Sequence, residues 1–82
     1  MLTVKVLGSG CANCKKLEAN ARQAIEASGM KAEVIKVTDY ADIMKYPILA
    51  TPGLVINEKL VSAGRIPGEL EIETWLKAAA EG

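Results

Sequence analysis

Hydrophobic and polar positions divide the chain into short runs of two periods. Leu2-Thr3-Val4-Lys5-Val6-Leu7 is rich in β-branched and apolar side chains and reads as a strand. Gly8-Ser9-Gly10 breaks it into a turn. From about Ala12 to Ser28 the pattern becomes helical, with Cys14, Leu17, Ala21, Ala24 and Ile25 recurring at steps of three and four on one face. Ser28 shares that face as a small polar end residue, and Gly29 is a stop signal. Lys15, Lys16, Glu18, Arg22, Gln23 and Glu26 fall mostly elsewhere on the helix. Lys31 to Val37 is the second strand. Thr38-Asp39 can cap a short helix carrying Ile43 and Met44. Tyr46-Pro47 ends that helix, because proline biases its predecessor away from helical angles. Gly53-Leu54-Val55-Ile56 is a short buried strand, Asn57-Glu58-Lys59 a turn, and Leu60-Val61-Ser62-Ala63 its hairpin partner. After Gly64 and Pro67-Gly68 a last helix runs to about Ala80, with Ile72, Trp75, Leu76 and Ala79 on its apolar face. Glu69, Glu71 and Glu73 crowd its first turns, where the helix dipole favours negative charge.

The predicted order is β-α-β-α-β-β-α, an α/β class. The first β-α-β should be a right-handed crossover between parallel strands, and the last two strands an antiparallel hairpin. The strands alternate only weakly in polarity, which suits a mixed four-stranded sheet with helices on both faces. No repeat, linker or low-complexity segment interrupts residues 1–82, so one domain is expected.

Composition narrows the chemistry. Half of the 82 residues are hydrophobic but none is Phe, so the core must be aliphatic. Tyr40, Tyr46 and Trp75 are too scattered to form a stacking platform. Lys plus Arg and Asp plus Glu are each 10, which gives no electrostatic case for nucleic acid or an anionic membrane surface. Neither a signal-peptide pattern nor an apolar run of the roughly 20 residues needed to span a bilayer is present. The expected location is the cytoplasm. Reducing conditions there favour a catalytic or metal-binding role for cysteines over a structural one.

There are two cysteines, in Cys11-Ala12-Asn13-Cys14, at the junction of the first strand and the first helix. A CxxC in that place reads as a redox pair, because free backbone N–H groups at a helix start stabilise a thiolate. Cys14 belongs to the apolar stripe and should be buried; Cys11 precedes the first turn and should be exposed. An ordinary thiol titrates near 8.5, and lowering that value by one corresponds to about 1.4 kcal/mol. Helix-terminus effects of that size would raise the thiolate fraction at Cys11 several-fold. Cys11 is thus the expected nucleophile and Cys14 the resolving thiol, with no cofactor beyond the Cys11–Cys14 disulfide itself. Lys15 and Lys16 add positive potential nearby or simply solvate the helix, and Asn13 donates to a sulfur or merely starts the helix. Lys5 either approaches the cysteines from below or, the better reading, reaches solvent. Ile48-Leu49-Ala50 is an apolar approach to the site. Gly8 and Gly10 do not complete a dinucleotide fingerprint and are explained by turn geometry.

The segment Gly8-Ser9-Gly10-Cys11-Ala12-Asn13-Cys14-Lys15-Lys16-Leu17-Glu18 resembles the thioredoxin superfamily, in particular its small, glutaredoxin-sized, redox-active disulfide proteins of archaea and bacteria. The resemblance spans almost the whole chain. It extends through Thr51-Pro52-Gly53-Leu54-Val55-Ile56 to Gly64 and the Glu-rich final helix. It implies a thioredoxin-like fold and reduction of disulfides in partner proteins. It also implies a thioredoxin-reductase-type electron donor, and a monomer is the default for such a carrier. It further implies that Pro52 is cis against the active-site disulfide and that Thr51 offers backbone to an extended substrate; local sequence alone would support an ordinary trans-proline. Gly10, Ala12 and Asn13 stand where thioredoxins carry an aromatic residue before the first Cys and a Gly-Pro pair inside the motif, so potential and thiol pKa do not transfer. No acidic residue can be matched to the one buried beneath that active site.

Two other readings use the same cysteines. One is a copper or zinc carrier, since small heavy-metal domains also place CxxC after their first strand and thiolates hold soft ions. Against it stand the absence of His, too few cysteines to close a four-ligand zinc site in one chain, the final helix and the Thr-Pro step. The other is a redox sensor without turnover, which sequence does not separate from an enzyme.

Overall fold

The computed structural model describes residues 2–8, 12–48 and 50–81. Its elements are β1 (Leu2–Leu7), α1 (Ala12–Ser28), β2 (Ala32–Val37), α2 (Tyr40–Ile43), β3 (Gly53–Ile56), β4 (Lys59–Ala63) and α3 (Glu69–Glu81). The strands form one sheet in the order β2-β1-β3-β4. β1 runs parallel to β2, with Val6 opposite Lys36, and antiparallel to β3, with Leu7 opposite Gly53. β3 and β4 are the antiparallel hairpin. The architecture is therefore the α/β mixed sheet with three helices that the resemblance implies.

Side chains of a strand alternate between faces, and β1 uses both. Leu2, Val4 and Val6 join Leu17, Ala21 and Ala24 of α1 and Ile72 and Leu76 of α3 in the larger core. Leu7 joins Val55, Ile48 and Ile43 of α2 in a smaller core on the opposite face. Leu17 and Leu76 are fully buried, each contributing about 1.5–3 kcal/mol by its transfer from water. The Asn20 amide donates to the Pro67 carbonyl at 3.2 Å, tying α1 to the segment that leads into α3.

Several boundaries shift from the sequence reading. Lys59 is the first residue of β4 rather than part of the turn. The turn is only Asn57-Glu58, both at positive φ (51° and 69°), the mirror-image geometry that matches strand twist. Asn57 tolerates it because its Oδ1 accepts the Thr3 N–H at 3.0 Å. α2 ends at Ile43, so Met44, expected within the helix, is its exposed C-cap. Asp39 caps α2 as its sequence suggests, accepting the Ala41 N–H at 2.9 Å.

Candidate functional site: the Cys14 corner

α1 begins beside the C-terminal end of β1 and turns Cys14 inward in its first turn. Cys14 is 6% exposed and disulfide-bonded. Ala12 and Asn13 stand exposed on that turn, followed by exposed Lys15 and Lys16. No acidic residue occupies the first turn, so no carboxylate offsets the positive end of the helix dipole. Cys11 and Gly10, both singled out from the sequence, lie outside the described residues, as do Ser9 and Leu49.

Gly8 makes this packing possible. Its N–H donates to the Val37 carbonyl at 2.9 Å, which fixes the backbone. A Cβ placed on Gly8 would overlap Cys14 Sγ and lie 3.3 Å from Cys14 Cβ and 4.0 Å from Pro52 Cα. The absence of a side chain at Gly8 thus leaves the space that the sulfur of Cys14 occupies, with the Pro52 backbone near the same space. Turn geometry, the explanation offered by the sequence, misses this role. The signal in the sequence is a glycine just after a strand, which often marks a close approach.

The Thr51–Pro52 peptide is cis. Pro52 is buried and Thr51 is exposed beside it. The Pro52 carbonyl accepts the Gly64 N–H at 2.9 Å, and a Cβ on Gly64 would sit 3.0 Å from that of Ala50. The segment before β3 is therefore clamped to the end of β4. Next to Thr51 a groove of about 370 Å³ runs along α2, lined by Thr38, Tyr40, Met44, Ile48 and Ala50. Tyr40 and Met44 are exposed apolar side chains on its rim. Ile48 is buried under it, and Ala50 is exposed. On the other side of Cys14 a smaller recess of about 60 Å³ opens between α1 and β2.

Lys5 does not simply reach solvent, because its ammonium is engaged by two side chains. It projects from the α2 face of the sheet, donates to the Tyr46 hydroxyl at 2.9 Å and pairs with Glu58 in the hairpin turn. These partners raise its pKa, and the Lys5 ammonium holds the Glu58 carboxyl below the usual range. A second pair, Arg65 with Glu71, spans the start of α3, and the Arg65 guanidinium lies over the Trp75 ring at 5.9 Å. Among the described residues no group of three or more Cys, Asp or Glu side chains is arranged to hold a metal ion. No helix among them is long and apolar enough to cross a membrane.

Comparison with known proteins adds an independent line. Residues 2–77 match the thioredoxin domain family. A thioredoxin of Methanocaldococcus jannaschii is 35% identical over 82 residues, covering 100% of this chain and 94% of that protein. A thioredoxin of Methanothermobacter thermautotrophicus is 37% identical over 76 residues, covering 93% of this chain and 99% of its own.

Proposed function

This chain belongs to the thioredoxin family, and from that premise we infer that it is a thiol–disulfide oxidoreductase that reduces partner-protein disulfides through Cys11 and Cys14. The observation that carries the reading is the Cys14 corner: a buried, disulfide-bonded cysteine in the first turn of α1, with Gly8 packed at its sulfur and the cis Thr51–Pro52 step nearby. Cys11 is the other cysteine of the chain and so its partner in a Cys11–Cys14 disulfide, the only redox group required.

In the reduced protein the Cys11 thiolate attacks one sulfur of a partner disulfide. A mixed disulfide forms and the other partner sulfur leaves as a thiolate. Cys14 then attacks Cys11 Sγ, the Cys11–partner bond breaks, and the partner departs fully reduced. Two electrons have passed from the dithiol to the partner. A reductase of the thioredoxin-reductase type restores the dithiol. Ala12 and Asn13, the residues between the cysteines, are exposed on the first turn of α1. Thr51, exposed beside buried Pro52, offers main-chain hydrogen bonds to an extended partner segment. The protein works as a cytoplasmic monomer on protein substrates, without nucleic acid or membrane.

Reduction of a disulfide-bonded protein by dithiothreitol, with and without the purified chain, tests this. The rate should rise with the chain, fall to background in Cys11→Ser, and give a trapped mixed disulfide by mass spectrometry in Cys14→Ser. Full activity in Cys11→Ser would overturn the assignment.

A further inference from the structure

Equal numbers of acidic and basic residues conceal an uneven distribution of charge around the site. The recess of about 60 Å³ beside Cys14 is lined by one lysine from each of two elements, Lys15 of α1 and Lys36 of β2. Lys15 is exposed and, among the described residues, pairs with no carboxylate. The same holds for Lys16, the next residue on the outer surface of α1. The Lys36 side chain is 61% exposed. Along β2, Ala32 and Val34 pack on the larger core, and Lys36 is the next position on that face, with Val6 of β1 as its register partner.

Glu18 is the carboxylate that lines this recess, and its charge is already engaged. Its Oε2 accepts from Arg22 Nε at 3.0 Å and Arg22 Nη2 at 2.8 Å, and its Oε1 lies 3.8 Å from Lys36 Nζ. Three cations thus meet one carboxylate, and Glu18 holds Lys36 toward the recess without neutralising Lys15. Glu33, the acidic residue of β2, falls on the opposite face of the sheet. Across Thr38 the sign changes. Thr38 lines both the recess and the groove along α2, and the groove has no charged lining residue. The charges beside the groove are Asp39, which caps α2, and Asp42, which pairs with Lys45 at 3.0 Å. A partner laid over the site therefore meets surplus positive charge on one flank, and an apolar surface edged by Asp39 on the other. Surface lysines commonly serve only solubility. Lys15 and Lys36 differ because separate elements bring them to one recess at the reactive corner.

We propose that Lys15 and Lys36 form a docking rim for an acidic flank of the partner, so that the chain selects protein disulfides whose target cysteine has Asp or Glu on one side of it. The inference rests on the exchange reading given above. The occupant is an extended protein segment. Its carboxylates lie over the two lysines, and the rest of the segment passes Thr51 toward the groove along α2. Carboxylates on the other side of the cysteine would face Asp39 instead, so attraction and repulsion set the same orientation. Rim charges of this kind act mainly on the rate of association. Two pairs of opposite charges about 8 Å apart in water raise that rate about fourfold near 0.01 M salt, about twofold near 0.15 M, and hardly at all near 1 M.

Peptides of one length, each with its single cysteine held as a mixed disulfide with 5-thio-2-nitrobenzoate, test this. One carries Gln on both flanks, one carries Glu-Glu before the cysteine and one carries Glu-Glu after it. The Cys11 thiolate of the reduced chain attacks the peptide sulfur and the coloured thiolate leaves, so stopped-flow absorbance gives the rate constant of the first exchange. One acidic peptide should outrun the Gln peptide by about fourfold near 0.01 M salt, and the other should not. Lys15→Gln and Lys36→Gln should each cut that advantage to about twofold, and the double variant should abolish it. The Gln peptide, measured alongside, corrects for any change in Cys11 itself. Lys77→Gln, the same charge change at an exposed position of α3, should keep the full advantage. Equal rates for all the peptides at low salt would overturn the proposal. So would an equal gain from both acidic peptides, which is long-range attraction without a docked flank, or an advantage that survives in the double variant. Each of these leaves the exchange reading intact. Colour release no faster than in Cys11→Ser, from any of the peptides, would instead refute the exchange reading. Should a variant fail to fold, the wild-type salt dependence decides, because an advantage that persists near 1 M salt does not come from exposed lysines.

Discussion

Adding one methyl group at Gly8 probes the Cys14 corner with the smallest steric change. The backbone there carries no positive φ, so Gly8→Ala introduces no conformational strain of its own. The new Cβ would overlap Cys14 Sγ and crowd Cys14 Cβ at 3.3 Å. Neither wall yields easily, since Gly8 is held by its hydrogen bond to Val37 and Cys14 belongs to a 17-residue helix seated on the core. Overpacking of this kind costs about 1–3 kcal/mol. Loss of glycine freedom in the unfolded chain offsets about 0.4–1 kcal/mol of it. The net expectation is a loss of about 1–2 kcal/mol, or roughly 5–15 °C in the thermal midpoint of a domain this small. The loss should appear in both oxidised and reduced protein, because the clash involves Cys14 Cβ as well as the sulfur. Urea titration followed by circular dichroism measures it. Gly68→Ala is the comparison without a clash: its Cβ would meet nothing within 4 Å, and since Gly68 precedes α3 and its carbonyl accepts the Ile72 N–H, it should lose only the N-cap preference for glycine over alanine, below about 1 kcal/mol. Equal midpoints for the two variants would refute the steric account of Gly8.

Leu17→Ala, in the fully buried heart of the larger core, should cost about 2–5 kcal/mol by chemical denaturation, and a loss below about 1 kcal/mol would mean that the helix repacks freely. Asn57→Ala removes both the acceptor for Thr3 N–H and the residue type that tolerates φ 51°, so a loss of about 1–3 kcal/mol is expected from the same titration. Lys5 and Arg65 hold the Glu58 and Glu71 carboxyls below their ordinary 4.5. The stability from these pairs is full above that value and is lost as pH falls through the lower folded values, so thermal midpoints should drop on acidification and Glu58→Gln should flatten part of that slope. Both pairs are exposed, and added salt should shrink the effect.

Where local physics decides the structure, the sequence is transparent. α1 runs from Ala12 to Ser28 as its 3.6-residue stripe and Gly29 predict, and β3 begins at Gly53 directly after Pro52. The turn before β4 reads one residue too long because Asn57-Glu58 lacks the glycine that usually marks a two-residue hairpin turn. Trp75 stands on the predicted apolar face of α3 but remains partly exposed under Arg65, a neighbour supplied by the loop before the helix. The site is legible only in part for the same reason. Cys14 announces its burial through the stripe it shares with Leu17 and Ala21. The roles of Gly8, Glu18 and Lys36 depend on strands and helices that meet only in three dimensions. Glu18 reads as an ordinary polar position until Lys36 of β2 is seen beside it. Lys5 escapes a sequence reading because nothing local links it to Glu58 across the sheet.

A ribosome makes β1 before either of its neighbours, yet β1 finishes between β2 and β3. β2 can pair soon after α1 has formed, but the other side of β1 stays open until residues 53–56 emerge. At about 5–20 residues per second that interval lasts on the order of seconds. During it the nascent chain presents an unpaired apolar strand edge, the template other chains most readily add to. The thiol of Cys14 lies at the end of that same strand. Newly made chains are therefore most prone to aggregate, and to form disulfides with the wrong neighbour, in one shared window, which closes when β3 docks.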